Sequence, residues 1–275
     1  MRFSKKYRVR PNQGVALDQI DPDGRDDGLN REMAEPVIQY YAERLRSLQY
    51  RLYAESSRSL LICLQAMDAG GKDGTIRHVL GYMNPQGCRV QAFKQPTPEE
   101  QAHDFLWRAH RAAPARGEVV IFNRSYYEDV LVTRVHGMID KDACRQRYRA
   151  IRQFERHLAD HGAHILKFYL HISKDEQLRR LQKRLDDPER WWKVSEADFK
   201  ERAHWHDYRR AFEDTLSHCS SKAAPWFIVP SNHKWRRNLV VSRIVVEYLE
   251  SMELQLPPPT VDIDMIRKEY CDDCR

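Results

Sequence analysis

No stretch of this chain stays apolar for the roughly eighteen residues that a membrane span needs, and no signal-peptide core follows the start. A cytoplasmic protein without a membrane partner is therefore expected. Cysteine is sparse and scattered: Cys63, Cys88, Cys144 and Cys219 stand singly and read as reduced thiols. Cys271 and Cys274 form one C-x-x-C at the extreme end. No second pair lies near, and because zinc takes about four ligands, a frayed tail is the better reading. His157 and His161 are one helical turn apart but lack the glutamate of a metalloprotease pattern, so they read as surface residues. The excess of positive charge is small, 46 Lys and Arg against 40 Asp and Glu, for a formal +6. That balance admits polyanions in general and selects none of them. Internal repeats are absent as well.

What is present begins at residues 60–75, LLICLQAMDAGGKDGT. A buried strand runs into a glycine-rich turn and then a helix, with Lys72 at the turn. In such a loop Ala69, Gly70, Gly71, Asp73, Gly74 and Thr75 surround an anion with inward-pointing backbone N–H groups, the helix start adds its dipole, and Lys72 adds a full charge. The spelling departs from the usual G-x-x-x-x-G-K-[ST]: Ala66 opens the loop, and Asp73 replaces the hydroxyl that would bind magnesium. Asp68 is a carboxylate among phosphate-binding groups. It makes sense there if a divalent cation lies between it and phosphate oxygens. The bland alternative is a strand-to-helix turn with a surface lysine.

A second half-site lies at residues 118–129, EVVIFNRSYYED. Val119 to Phe122 have the character of a strand buried on both faces, and polar chemistry starts at its carboxyl end. Where phosphate-binding α/β sheets usually place an acid, this chain has Asn123 followed by Arg124, whose planar fork suits phosphoryl oxygens. Glu128 and Asp129 open the next helix and are candidates for the missing acid, Asp129 as a metal ligand beside Asp68. A structural ion pair is the competing role for Arg124.

The third cluster spans Arg179 to Arg202. Ser173 to Glu176 reads as a capping box opening a helix with Leu178, Leu181 and Leu185 on one face and Arg179, Arg180, Lys183 and Arg184 around the rest. A charged, proline-containing turn with Trp191, Trp192 and Lys193 comes next. Ser195 to Asp198 then reads as a second capping box, opening a long helix that carries Lys200, Glu201 and Arg202. Two such helices make a lid able to close over a phosphate chain, bring arginines to it and shut out water. A solvated helical hairpin is the alternative. Trp191, Trp192, Trp205 and Tyr208 are read as packing groups rather than base-stacking ones.

Strand candidates at 60–65, 89–94, 118–122, 165–171 and 226–229 alternate with helical patterns, which implies an α/β protein with a parallel sheet covered on both faces. Ile38, Tyr41, Leu45, Leu48 and Leu52 mark a helix before the first strand; Val241, Ile244, Val245, Tyr248 and Met252 mark one after the last. Tyr148, Ile151 and Leu158 mark another, with Gly162 as its stop. Lys72, Arg124 and the segment after His171 then leave the same carboxyl edge, where such sheets bind ligands. The organisation expected is a basic N-terminal arm over 1–32, read as mobile, a domain over 33–256 with its lid at about 174–205, and a tail over 257–275 set off by Pro257 to Pro259.

Taken together, the motifs resemble those of the family-2 polyphosphate kinases. The carrying residues are Met67 to Gly74, Phe122 to Glu128, and Arg184 to Pro188 with Trp192-Lys193, supported by Asn84 to Gly87, Asp104 to Trp107, Ala224-Pro225-Trp226 and Lys234-Trp235. The resemblance covers roughly residues 30 to 250. It implies a P-loop kinase-like three-layer α/β/α sandwich with a helical lid. It also implies magnesium-dependent phosphoryl transfer, with manganese as an alternative ion, between inorganic polyphosphate and nucleotides, making ADP from AMP and ATP from ADP. By resemblance Asp68 and Lys72 belong to the phosphate loop, Arg124 to the second motif and Arg184 to the lid; Lys193 and Arg202 of the lid region are further phosphate-binding candidates. Asn123 with Tyr126-Tyr127-Glu128 looks like the subgroup taking nucleoside mono- and diphosphates. A homo-oligomer, dimer or tetramer, is expected too. An ATP-dependent nucleoside monophosphate kinase would share the fold but usually carries the hydroxyl and the acid missing here. A noncatalytic polyanion- or RNA-binding protein leaves Asp68 unexplained.

Overall fold

The structure is a computed structural model describing residues 2–25 and 28–270. In chain order its elements are helices α1 (Phe3–Lys6) and α2 (Arg31–Glu55), strand β1 (Ser59–Ala66), helix α3 (Lys72–His78), strand β2 (Cys88–Ala92), and helices α4 (Pro98–Gln101) and α5 (Trp107–Arg111). Next come strand β3 (Val119–Asn123), helices α6 (Glu128–Val135) and α7 (Lys141–Asp160), strand β4 (Ala163–His171), and helices α8 (Lys174–Leu185), α9 (Glu196–Glu201) and α10 (Trp205–Cys219). The chain closes with strand β5 (Trp226–Pro230), helix α11 (Lys234–Ser251) and helix α12 (Ile263–Tyr270).

The five strands form one all-parallel sheet in the order β2-β3-β1-β4-β5, so β1 is central. Its side chains alternate faces as a strand requires. Leu61 and Cys63 enter one core with Val120, Phe122, Ile151 and Phe212, while Leu60, Ile62 and Leu64 enter a second with Leu45, Leu52, Ile244 and Val245. Helices α6, α7 and α10 thus cover one face, and α2 and α11 the other. The strand stretches read from the sequence match the observed ones to within two residues. The stop at Gly162 is also observed: its φ of +89° suits glycine, and its carbonyl accepts from Ser59 N–H at the start of β1.

Register places the site. Leu64 pairs with Asn123 and Ala66 with Leu170, so β1, β3 and β4 deliver their next residues to one carboxyl edge. Chain order reverses about β1, which opens a crevice there.

The N-terminal arm is not a mobile tail. Val9 N–H donates to Trp226 O at 2.9 Å and Ile228 N–H to Tyr7 O at 3.0 Å, giving an antiparallel bridge at Arg8–Phe227 that covers the exposed edge of β5. Phe3 and Leu17 are buried. The apolar Phe3, Val9 and Leu17 outweigh the basic residues between them. By contrast α12 buries no residue. The C-x-x-C of Cys271 and Cys274 lies outside the described residues.

The second lid helix is also shorter than its sequence suggests. Helix α9 ends at Glu201 after six residues, and a 3₁₀ turn over Arg202–His204 leads into α10. Ser195 caps α9 through Ala197 N–H at 3.2 Å, and Asp198 does not close a capping box because its carboxylate pairs with Arg184. At α8, Ser173 accepts from Glu176 N–H at 3.1 Å as expected, while the Glu176 carboxylate holds Arg179 and Arg180. Leu181 is buried, but Leu185 is 47% exposed near the lid tip.

Candidate active site

The loop after β1 turns on two left-handed residues, Ala69 (φ 57°) and Gly71 (φ 107°). Gly70 N–H donates to Met67 O at 2.9 Å and closes the turn, where a Cβ on Gly70 would press on the Met67 carbonyl at 2.7 Å. Gly71 caps α3, and Lys72 folds back so that Nζ donates to Ala66 O at 3.3 Å. Helix α3 has only seven residues, so the charge at the loop comes chiefly from side chains rather than from a long helix dipole. Thr75 is buried with its hydroxyl donating to Gly71 O at 3.1 Å; it braces the loop from behind. Gly74 keeps the next turn open against Arg237.

Arg124 is the second anchor. It too is left-handed, at φ 62°, an unfavourable state for arginine that surrounding structure must hold in place. Its N–H donates to Leu64 O at 3.1 Å, so β1 fixes its backbone, and its Nη2 donates to Asp68 Oδ1 at 2.8 Å. The two tyrosines just beyond Arg124 are equally fixed. The Tyr126 and Tyr127 hydroxyls both donate to Glu155 Oε1 at 2.8 Å, and Lys167 Nζ bonds both Glu155 oxygens at 2.8 and 2.7 Å, with all four residues buried. A buried ion pair with its remaining valences satisfied makes a rigid support for the motif.

A cavity of about 220 Å³ lies over these groups. Asp68, Arg124, Glu128, Asp198, Glu201 and Arg202 bring charge to its wall, and Gln177, Trp205, Tyr208 and Phe212 complete it. Burial, then the neighbouring Arg124, push the Lys72 pKa down, with nearby carboxylates opposing. Burial raises Glu128 against the pull of Arg124 and Lys72, and burial followed by Asp68 raises Asp198. Burial disfavours the Arg124 cation, but Glu128, Asp68 and Asp198 together hold its pKa above the ordinary value. Carboxylates and cations therefore converge here, Arg124 on Asp68 and Arg184 on Asp198 in direct pairs and Glu128 beside them, as in a site for a charged ligand.

The lid closes from α8 and α9. Arg184 Nη1 reaches Asp198 Oδ2 at 3.0 Å, and Arg202 Nη1 donates to Lys174 O at 2.6 Å and Gln177 Oε1 at 3.1 Å. Lys193 reaches Asp73 Oδ2 at 3.5 Å, while Asn123 Nδ2 donates to Asp73 Oδ1 at 3.0 Å. Burial works against the Asp73 charge, but the Asn123 hydrogen bond and Lys193 outweigh it and hold the pKa below the usual carboxylate value. Trp205 is buried beside the cavity as a packing group, whereas Trp191 and Trp192 are exposed.

Asp129 does not join this cluster. Its carboxylate turns to Arg108 at 3.4 Å, which also pairs with Glu100 at 3.7 Å, so the reading of Asp129 as a metal ligand is corrected. Helix geometry is the reason: Glu128 and Asp129 are neighbours and so project about 100° apart, and Glu128 alone faces the cavity. Sequence reasoning assigned no site role to Gln177, Asp198, Tyr208 and Arg237. Asp198 carried a signal, an acid one turn into a lid helix; Arg237, within the basic run at the start of α11, gave none that separated it from surface charge.

A parallel sheet in this order, with a glycine-rich lysine loop leaving its central strand and an arginine-bearing lid above, defines a P-loop kinase-like phosphotransferase fold. The chain belongs to the polyphosphate kinase 2 family, whose model matches residues 29–257. It is 49% identical to the AMP/ADP-polyphosphate phosphotransferase of Meiothermus ruber over 93% of this chain and 96% of that one. It is 43% identical to the ADP-polyphosphate phosphotransferase of Rhodopseudomonas palustris over 94% of this chain and 93% of that one. The crystal structure of polyphosphate kinase 2 from Arthrobacter aurescens TC1 superposes with a TM-score of 0.95 at 40% identity, covering 99% of this chain and 97% of that one.

Proposed function

We propose that this chain transfers terminal phosphoryl groups between inorganic polyphosphate and nucleotides, forming ADP from AMP and ATP from ADP, with magnesium as cofactor. The observation that carries the reading is the convergence of Asp68, Lys72 and Arg124 at the carboxyl edge of β1 and β3, beneath a lid that supplies Arg184, Lys193 and Arg202. The activities for which the two relatives are named agree with it.

A nucleotide phosphate is already an anionic nucleophile, so the reaction needs no strong base. The barrier lies in bringing two polyanions together and stabilising charge on the transferred group. The loop N–H groups and Lys72 hold the phosphates, and Arg124, freed from Asp68, offers its fork to the moving phosphoryl oxygens. Arg184 exchanges Asp198 for phosphate as the lid shuts, and the lid excludes water. Asp68 would hold a hard divalent cation: its carboxylate lines the cavity beside Glu128 and Asp198, and magnesium usually takes one or two protein carboxylates. Magnesium would neutralise phosphate charge there, and manganese uses the same oxygen donors.

The test supplies AMP or ADP with magnesium and either polyphosphate or ATP, and tracks nucleotide products. Product formed with polyphosphate alone supports the reading; product only with ATP assigns a nucleoside monophosphate kinase, and no transfer with either donor leaves a binding protein.

A cytoplasmic location and self-association into a dimer or tetramer belong to the same proposal. No helix among the described residues is long and apolar enough to cross a membrane. Met33, Tyr40, Tyr50 and Tyr53 on α2 leave apolar surface exposed, which a second copy would cover. Light scattering that gives the monomer mass at working concentration would remove the second statement.

A further inference from the structure

Arg237 lies in the first turn of α11, behind the phosphate loop, and is only 2% exposed. Its Nε and Nη2 donate to Asn238 Oδ1 at 3.2 and 2.7 Å, and among the described residues no carboxylate pairs with it. It presses on the loop itself: a Cβ on Gly71 would collide with Nη1, and one on Gly74 would lie 3.0 Å from Nη2. Arg180 approaches the same place from α8, donating through Nη1 to Ala69 O at 2.9 Å and through Nη2 to Ser231 O, but Arg180 has Glu176 at 2.7 Å as its counter-charge. Burial and then Arg180 drive the Arg237 pKa down to about 10, the mark of a cation placed where charge is costly.

The contrast with Lys167 is direct. That cation is equally buried but is met by Glu155 at 2.7 Å. A fold that needed Arg237 only for packing gains nothing by leaving a charge without an acid beneath two glycines. The field continues outward: Lys234, one turn earlier on α11, has its pKa lowered by burial and then by Arg180, Arg190, Arg237 and Lys183.

We propose that Arg237 is a positioning residue of the phosphate loop, shaping Gly71 and Gly74 while its unneutralised charge is compensated by an inorganic phosphate chain when that binds. This rests on the reading that the loop takes polyphosphate.

The experiment measures thermal unfolding with and without tripolyphosphate, together with steady-state kinetics, for the parent, Arg237→Met and Arg237→Lys. Removing a costly buried charge leaves the ligand-free Arg237→Met protein as stable as the parent or more so. Its tripolyphosphate-induced rise in Tm falls by more than about half, and its KM for polyphosphate rises about tenfold with a smaller change in kcat. Arg237→Lys recovers part of the rise. A tripolyphosphate-induced rise in Arg237→Met equal to the parent's overturns the proposal, whatever the ligand-free Tm. A parent that binds tripolyphosphate yet transfers nothing to AMP or ADP would instead fail the functional reading and leave the role of Arg237 standing.

Discussion

The two halves of the site are held in different ways. The loop and Arg124 are fixed by backbone: Gly70 to Met67, Arg124 to Leu64, and a strand register that leaves no freedom to slide. The lid is held by side chains: Arg184–Asp198 at 3.0 Å ties α8 to α9 within it, and Lys193–Asp73 at 3.5 Å, with Asp73 68% exposed, reaches across to the loop. Backbone anchors persist when ligand arrives. Exposed ion pairs are worth only about 0–1 kcal/mol and are easily exchanged for phosphate. The lower half is thus built beforehand for charge stabilisation, while the upper half is built to let go.

Removing a charge from the fixed half sharpens this contrast most. Lys72→Ala and Asp68→Asn are each expected to lower kcat about 10³-fold, roughly 4 kcal/mol of transition-state stabilisation. Circular dichroism would show an unchanged fold, and near-normal turnover in either would remove that residue from the mechanism.

Gly71→Ala tests the backbone claim directly. A side chain at φ 107° that also collides with Arg237 should cost about 2–3 kcal/mol in chemical denaturation. A neutral result would mean that the loop is pliable and that the comparison with the lid is misplaced.

The lid should answer more weakly. Lys193→Ala is expected to change stability by less than about 1 kcal/mol and to raise the polyphosphate KM severalfold. A loss of several kcal/mol in urea unfolding would show that the lid is as firmly anchored as the loop.

The smallest effect is on pH. Glu128 has its folded-state pKa raised above its ordinary 4.5 by burial, so the native protein holds that proton more tightly than the unfolded chain does. Its contribution is fully present below pH 4.5 and is lost as pH rises through the raised value. Ligand-free Tm measured between about pH 4 and 7 should therefore fall less steeply in Glu128→Gln than in the parent. Parallel curves would show that Glu128 is solvated and does not face the charges of the cavity.

The sheet was legible because strands buried on both faces leave near-continuous apolar runs, as Val119 to Phe122 do, and because the long helices show their periodicity. The loop was legible because glycine next to lysine after such a run has few other uses. Asp129 was misread because adjacent residues on a helix differ by about 100°, and only the packing of α6 decides which of the pair faces inward. The N-terminal arm was misread because its basic residues are conspicuous, whereas its partner, the edge of β5, lies more than 200 residues away.

Residue order alone was enough to establish the succession of strands and helices, the glycine-rich loop that carries Asp68 and Lys72, and the arginines near it. These rest on periodicity and on chemistry carried by neighbouring residues. Folding in three dimensions was needed to show that Asp68 faces Arg124, that Asp198 and Tyr208 line the cavity, and that Arg237 lies behind Gly71 with no carboxylate partner among the described residues. The reason is physical: a charge acts through distance and burial in space, and neither is written in the spacing of residues along a chain.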